Sequence, residues 1–311
     1  MSKKLPKIVV ILGPTASGKT ALAIKLAKEF NGEIISADSR QIYKKMDIGT
    51  AKPKGVWEKT VGSEAYMVDG VPHYLMDIVD PGKNFTLSDF KSRAVEKIND
   101  IIARGKVPFL VGGTGLYIWS VIDNLDMPKV EPNKKLRKEL EKKNLPELVA
   151  LLKQLDSENW SKIDLNNPRR VIRALEVSIW TGESFLKHKT KSRPIVKALQ
   201  IGISWPREEL YERINKRIDN QIKEGLVEET KKLVRQKYSR NMPSMSSIGY
   251  KQIGGYLRGE TSLEEAVEMI KRDSRHYAKR QITWFKRDKR IKWIASNDFS
   301  EAHKLIKKFL L

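Results

Sequence analysis

Short apolar runs alternate with amphipathic segments along most of the chain, which is the pattern of an α/β protein. Strands are predicted where apolar or β-prone residues run together, at 8–12, 32–37, 107–111, 198–205 and 292–295, with a further short strand within 73–81. Helices are predicted where apolar residues recur at helical spacing, at 21–30, 86–103, 136–155, 168–179, from Pro206 onward, after Gln252, from Leu263 and at 301–311. Because strands and helices take turns, we predict a parallel sheet flanked by helices.

One region breaks this alternation. No β-prone run occurs between Leu125 and Arg193, charged residues dominate there, and the amphipathic pieces read as helices. We therefore predict an all-helical insertion domain at 125–193. It divides an α/β core into a first part, 1–124, and a second part, 194–311, that carries strongly basic helices.

The first strand leads directly into a phosphate-binding motif. The run G-P-T-A-S-G-K-T matches G-x-x-x-x-G-K-[ST], the P-loop, at every fixed position. In such a loop the backbone N–H groups converge on phosphate oxygens, the lysine adds a point charge, and the final hydroxyl is offered to Mg²⁺. The candidate phosphate ligands are Gly13, Pro14, Thr15, Ala16, Ser17, Gly18, Lys19 and Thr20, with Thr20 as the metal ligand. A plain turn between strand and helix would need neither the lysine nor the threonine. The motif predicts a phosphate-bearing ligand but not which one.

The second predicted strand delivers Asp38 to its carboxyl end, where ligands bind in parallel α/β sheets. Position alone leaves three roles open for this carboxylate: general base, water-mediated partner of Mg²⁺, or N-cap of a following helix. We expect its strand to lie beside the P-loop strand. The turn-rich stretch 46–53 is expected to form a loop over the site.

A glycine-rich turn, G-G-T-G at 112–115, follows the strand at 107–111, where an ATP-hydrolysing P-loop protein usually carries an acidic residue. Glycines there would let a bulky group approach the backbone, and Thr114 could hydrogen-bond it. Asp77 and Asp80 are candidates for a second magnesium carboxylate, although an ordinary turn carboxylate is the commoner explanation.

Two arginines of the helix after Pro206 are further candidates for the phosphate site. Arg213 and Arg217 lie one turn apart beside its apolar stripe. They could clasp a diphosphate, or pair with Glu209 and Glu212.

The charge of the chain points to a polyanionic partner. The 311 residues include 60 Lys and Arg against 38 Asp and Glu, a net charge of +22. A solvated basic surface without a specific partner is the alternative. The most basic stretch, 269–292, is interleaved with aromatic residues, the combination expected for RNA. There is no cysteine, which excludes disulfides and thiolate metal sites, and no run long enough to span a membrane. We expect a soluble, cytoplasmic protein with no membrane association, and a monomer.

Six motifs together resemble the bacterial tRNA dimethylallyltransferase family. In chain order they are G-P-T-A-S-G-K-T at 13–20, S-A-D-S-R-Q-I-Y at 36–43, M-D-I-G-T-A-K-P at 46–53, G-G-T-G-L-Y at 112–117, P-R-R-V-I-R-A-L-E-V at 168–177 and A-K-R-Q-I-T-W at 278–284. The resemblance covers nearly the whole chain. It implies transfer of a dimethylallyl group from dimethylallyl diphosphate to the N6 amine of the adenosine 3′ to a tRNA anticodon, with Mg²⁺ as cofactor.

The resemblance also implies roles for individual residues. Asp38 would be the base, Thr114 would orient the amine, and Lys19 would stabilise the diphosphate, aided by Arg217. The residues implied to contact tRNA are Asp38, Ser39, Arg40, Gln41, Thr114, Arg137, Arg169, Arg170, Val171, Ile172, Arg173, Ser246, Ser247, Ile248, Gly249, Tyr250, Lys251, Lys279, Arg280 and Gln281. The chain departs from the family in having Arg169 where glutamine is frequent. It also lacks the cysteines of the zinc finger found in eukaryotic members.

Three other functions are compatible with parts of the sequence. A small-molecule kinase would use ATP in the same loop and no RNA. A prenyltransferase acting on free adenylate would leave the charge and the helical insertion unexplained. An RNA-binding protein with a vestigial P-loop would have no need of Lys19, Thr20 and Asp38.

Overall fold

The computed structural model describes residues 5–60, 63–125, 133–187, 192–296 and 298–311. The chain divides into two units: residues 1–122 with 195–311, and residues 123–194. The first unit is built on one sheet, and its strands are β1 Lys7–Leu12, β2 Gly32–Ser36, β3 Val56–Thr60, β4 Ser63–Val68, β5 Val71–Tyr74, β6 Val107–Gly112, β7 Lys197–Ser204 and β8 Lys292–Ala295.

The sheet order is β3-β4-β5-β2-β6-β1-β7-β8. The strands from β5 to β8 in this order pair in parallel, with Val9 opposite Phe109 and Leu199. The predicted α/β fold is therefore confirmed, but β3 and β4 form an antiparallel hairpin at one edge that the sequence analysis missed. The strand that ends before Asp38, β2, was expected to lie beside the P-loop strand, β1. This expectation is wrong, because β6 lies between them.

Helices cover both faces of the sheet and bury its nearly continuous apolar strands. Those of the first unit are α1 Lys19–Glu29, α2 Leu87–Ala103, α3 Gly115–Ile122, α7 Arg207–Lys223, α8 Leu226–Arg235, α9 Tyr250–Leu257, α10 Leu263–Phe285 and α11 Phe299–Leu310. One core packs α2 and α3 against the sheet, and a second packs α1 and α11 against the other face. Helix α8 was not predicted from the sequence.

Helices α7 to α10 form a third core beside the carboxyl ends of the strands. Leu210, Ile214 and Ile218 of α7 are buried in it, as the spacing of four residues predicts. Tyr43, from the segment after β2, is buried in the same core. This arrangement fixes α7 and α10 next to the loops that follow β1 and β2.

The second unit, taken by itself, holds α4 Lys134–Glu141, α5 Leu145–Leu155, a 3₁₀ turn at Trp160–Lys162 and α6 Pro168–Thr181. The single helix predicted at 136–155 was wrong, because Asn144 caps a new helix with a capping box and Pro146 lies in its first turn. Buried Leu148, Leu152 and Leu175 form its core. Parts of the predicted insertion, 126–132 and 188–191, lie outside the described residues.

No helix within the described ranges is both long and apolar enough to cross a membrane.

Candidate active site

The P-loop connects the carboxyl end of β1 to the amino end of α1. Gly13 and Gly18 have φ of 152° and 87°, in the region that favours glycine, and Ala16 between them has φ of 61°. Helix α1 begins at Lys19, so its unpaired N–H groups and positive dipole end face the loop. The geometry is that of an anion cradle.

Lys19 is held inside this cradle. Its Nζ donates to the carbonyl oxygen of Pro14 at 2.6 Å. Burial lowers the pKa of Lys19 to about 8; the nearby Asp38 carboxylate raises it and Arg217 lowers it further. An arriving anion would restore the full charge of this lysine.

Two of the three arginines of α7, Arg213 and Arg217, contact the P-loop. Arg213 Nε donates to the Ala16 carbonyl at 3.0 Å while its guanidinium lies 4.2 Å from the centre of the Trp205 ring. Arg217 donates to Thr15 Oγ1 at 3.2 Å. Burial lowers the pKa of Arg217, and Asp38 opposes that shift. These contacts hold both side chains at the P-loop, where they could clasp a phosphate.

Asp38 follows β2 and caps a turn, not a helix. Its Oδ1 accepts from the backbone N–H of Arg40 at 2.8 Å and of Gln41 at 3.3 Å. A role as helix cap is therefore wrong, because residues 39–42 form turns. These two bonds use one carboxylate oxygen and fix the direction of the other.

Thr114 and Tyr277 lie beside Asp38. Thr114 Oγ1 accepts from the Ser39 N–H at 3.1 Å, which ties the β6–α3 turn to the residue after Asp38. Tyr277 of α10 lines the same cavity as Asp38, and its pKa is raised to about 12, first by burial and then by the Asp38 charge. Tyr277 was not predicted as a site residue, although it lies within the basic, aromatic stretch 269–292.

Two cavities flank this cluster. One, of about 700 Å³, is lined by the P-loop from Ala16 to Ala21, by the 46–53 loop and by α7. The other, of about 360 Å³, is lined by Asp38, Tyr277 and Arg280, and by the segment 246–249. Ala16, Arg217 and Gln221 line both. A phosphate-bearing group in the first would thus lie next to a group in the second.

The 46–53 loop is held over the first cavity by a carboxylate that no sequence motif indicated. Glu229 of α8 accepts from the consecutive backbone N–H groups of Asp47, Ile48 and Gly49, at 2.9, 2.9 and 3.1 Å, and from the Tyr250 hydroxyl at 2.6 Å. The predicted loop over the site is present, and Glu229 fixes its backbone.

The glycines at 112–115 accommodate the protein's own side chains. A Cβ at Gly113 would overlap the Gln281 amide, one at Gly115 would overlap the Trp284 ring, and one at Gly112 would overlap the backbone of Ala37. The expectation that they admit a bulky ligand is corrected accordingly: they let α10 and the end of β2 pack against this turn.

The two candidate metal carboxylates are structural. Asp77 Oδ1 pairs with the buried ammonium of Lys52 at 2.6 Å, and Asp80 accepts from Gly82 N–H and the Tyr238 hydroxyl, each at 2.8 Å. Within the described ranges no group of His, Asp and Glu could chelate a metal on its own.

The residues implied to contact tRNA fall into two classes. Those exposed or half-exposed in the first unit are Asp38, Ser39, Arg40, Gln41, Thr114, Ser246, Ile248, Lys251, Lys279 and Arg280, and those in the second are Arg137, Arg169, Arg170 and Arg173. The others are buried, namely Val171, Ile172, Ser247, Gly249, Tyr250 and Gln281. Val171 and Ile172 belong to the core of the second unit, and Arg137 Nε and Nη2 donate to Glu176 at 3.0 and 2.5 Å.

Comparisons with known proteins agree with this geometry. A family profile described as IPP transferase matches residues 41–288, and one described as isopentenyl transferase matches 6–64. Proteins named tRNA dimethylallyltransferase from Clostridioides difficile and Acetivibrio thermocellus are 47% and 46% identical, with 99% and 97% of this chain and 97% and 96% of theirs covered.

Solved structures give the same result. The full-length tRNA isopentenylpyrophosphate transferase of Bacillus halodurans has 40% identity and a TM-score of 0.71, covering 98% of this chain and 96% of that one. A eukaryotic dimethylallyltransferase solved acting on tRNA has 28% identity and a TM-score of 0.78, covering 97% and 77%. The chain therefore belongs to the IPP transferase family, the family of the tRNA dimethylallyltransferases.

Proposed function

We propose that this protein transfers a dimethylallyl group from dimethylallyl diphosphate to the exocyclic N6 amine of the adenosine 3′ to the anticodon of tRNA. The observation that carries the proposal is the position of Asp38, in a cavity that shares Ala16, Arg217 and Gln221 with the P-loop cavity. A donor diphosphate in the P-loop cavity and an acceptor base beside Asp38 would place the reacting carbon and nitrogen next to each other.

The P-loop would bind the leaving group. As the C–O bond of the donor breaks, its electron pair goes to the diphosphate, and the negative charge there grows. Lys19, Arg217 and the loop N–H groups are aimed at that charge, so they stabilise the transition state more than the ground state. Ser17 Oγ, which is buried without a protein partner in the described part of the chain, is available to a phosphate oxygen.

A divalent metal fits this arrangement, and we propose Mg²⁺. Thr20 would contribute its hydroxyl, and the diphosphate would supply further oxygens, which is how Mg²⁺ is commonly held where the protein has no ligand cage. The ion would neutralise part of the leaving-group charge.

Asp38 would act on the acceptor. When the amine nitrogen bonds to the allylic carbon it becomes acidic, and its proton passes to the carboxylate oxygen of Asp38 that the turn leaves available. Thr114, positioned through the Ser39 N–H, would hold the amine. The base must leave its stack to enter this cavity, which is usual for chemistry on a nucleobase.

Basic residues of each unit would bind the RNA backbone. Lys279 and Arg280 on α10, and Arg169 and Arg170 on α6, are exposed. Their guanidinium and ammonium groups are suited to phosphate contacts, which position an RNA without reading its sequence.

The test is incubation with labelled dimethylallyl diphosphate and Mg²⁺ together with tRNA, with the same tRNA carrying guanosine at the acceptor position, or with AMP. We expect label only on the unaltered tRNA. Label on AMP would favour an adenylate prenyltransferase, and ATP consumption without RNA would favour a kinase.

A further inference from the structure

We propose that Gln281 is a positioning residue that holds the diphosphate cradle and the amine-orienting turn at a fixed separation. The roles given to these two segments rest on the proposed function, whereas the contacts that Gln281 makes with them do not. It replaces the tRNA contact that the family resemblance implied for this residue.

The side-chain amide of Gln281 bridges two loops. Its Oε1 accepts from the Thr15 N–H of the P-loop at 2.8 Å, and its Nε2 donates to the Gly113 carbonyl at 2.8 Å. Gln281 is only 6% exposed; its bond to Gly113 is buried and its bond to Thr15 is partly buried. Thr15 belongs to the segment that would bind the donor, and Gly113 directly precedes Thr114.

The surrounding packing makes this bridge rigid. Gly113 does not have a positive φ, so its backbone conformation does not require glycine. Glycine is required there because a Cβ would overlap the Gln281 amide. On the same helix, Phe285 is fully buried and Trp284 packs against Gly115. One face of α10 is thereby fixed to the P-loop and to the β6–α3 turn.

Glutamine provides both an acceptor for the Thr15 N–H and a donor for the Gly113 carbonyl, and its length suits the distance between them. Glutamate would keep the acceptor for the Thr15 N–H but would set a carboxylate against the Gly113 carbonyl. Methionine fills a similar volume and removes both bonds. Prenyl transfer depends on sub-ångström alignment of carbon and nitrogen, and a shift of about 1 Å in such a geometry can cost on the order of 100-fold in rate.

The test compares Gln281→Met and Gln281→Glu with Gln200→Met as the matched control. Gln200 is also a buried glutamine, 2% exposed, but it lies within β7 and donates to Asp288 at 3.1 Å, outside both cavities. Single-turnover transfer at saturating donor and tRNA, the dissociation constants of both substrates, and the melting temperature are measured for each variant.

We expect both Gln281 variants to lose roughly 10- to 100-fold in the saturated rate, with each dissociation constant within about threefold of wild type. Gln200→Met should lose stability to a similar extent and keep the saturated rate. Gly113→Ala, which displaces the same amide, should reproduce the Gln281→Met defect.

Two results would overturn the inference. A normal saturated rate with weakened tRNA binding would make Gln281 a direct RNA contact, and a rate loss matched by Gln200→Met would make it a general stability residue. A wild-type protein that transfers no dimethylallyl group to tRNA would instead refute the proposed function. In that case the bridge would be tested by crystal structures of the wild type and of Gln281→Met: an unchanged separation of the Thr15 nitrogen and the Gly113 carbonyl oxygen in the variant would overturn it.

Discussion

Replacing Asp38 by asparagine is the most direct test of the proposed base, because the amide can keep the turn while losing the charge. The carboxylate Oδ1 accepts from the N–H groups of Arg40 and Gln41 at 2.8 and 3.3 Å, and an asparagine Oδ1 can accept the same two bonds. Alanine removes both bonds and the base together. The pair of variants therefore separates the chemical role of Asp38 from its role in the turn.

The expected magnitudes follow from these contacts. Loss of a general base costs about 10²- to 10⁴-fold in rate, or about 3 to 5 kcal/mol in activation free energy, and both variants should show it. Alanine should in addition lower the free energy of unfolding by about 1 kcal/mol, as for a lost side-chain cap, which corresponds to a fall of roughly 2 to 4 °C in melting temperature. Donor binding should not weaken in either variant, because the carboxylate faces Lys19 and Arg217 and its removal leaves the cradle more positive.

The assay is single-turnover transfer of labelled dimethylallyl to tRNA, with tRNA affinity, donor affinity and melting temperature measured on the same samples. A near-normal rate for Asp38→Asn would refute the base assignment. If only Asp38→Ala were slow, the turn would be the important contribution of this residue. If both were normal, the departing diphosphate would become the candidate proton acceptor.

The remaining predictions concern charge and loop structure. Raising the pH from about 7 to about 9 should weaken donor binding, because Lys19, with its pKa lowered to about 8, loses its charge in that window. The phosphate oxygens, with a second pKa near 6, stay ionised throughout. Titration calorimetry measures the affinity, and Lys19→Arg should abolish its pH dependence. Glu229→Gln should lower the free energy of unfolding, measured by urea denaturation, by about 1 to 3 kcal/mol, because an amide cannot accept all four hydrogen bonds that Glu229 accepts. Tyr250→Phe removes only one of these bonds and should cost about 1 kcal/mol. Equal losses in the two variants would contradict the loop-anchoring role of Glu229. Affinity for tRNA should fall steeply with salt, with a slope of roughly −0.7 to −0.9 per phosphate contact in log K against log salt, and Arg280→Ala should reduce that slope; a slope near zero would remove the electrostatic explanation of the +22 charge.

Features that depend on neighbouring residues were predicted well. The P-loop, the strand that ends before Asp38 and the apolar stripe of α7 all follow from signals within about 10 to 20 residues, because turn and periodicity preferences are local. The single helix expected at 136–155 failed for a local reason too, since the cap at Asn144 was overlooked.

Features that depend on distant pairing were not predictable in this way. Nothing in the sequence places β6 between β1 and β2, or brings Glu229 onto the amides of the 46–53 loop across about 180 residues of chain. The glycines at 112–115 suggested room for a ligand, whereas the structure fills that room with Gln281 and Trp284.

The sequence by itself thus determined which chemical groups this protein contains: an anion-binding loop, a carboxylate at a strand end, a hydroxyl in a glycine-rich turn and a large excess of positive charge. Only the tertiary structure decided which of them meet and how each is held, as with Gln281, which sequence similarity assigned to RNA and the fold assigns to Thr15 and Gly113. The physical reason is that the chemical groups of a residue are fixed by its type, whereas its partners are set by packing and hydrogen bonding between segments far apart in the chain.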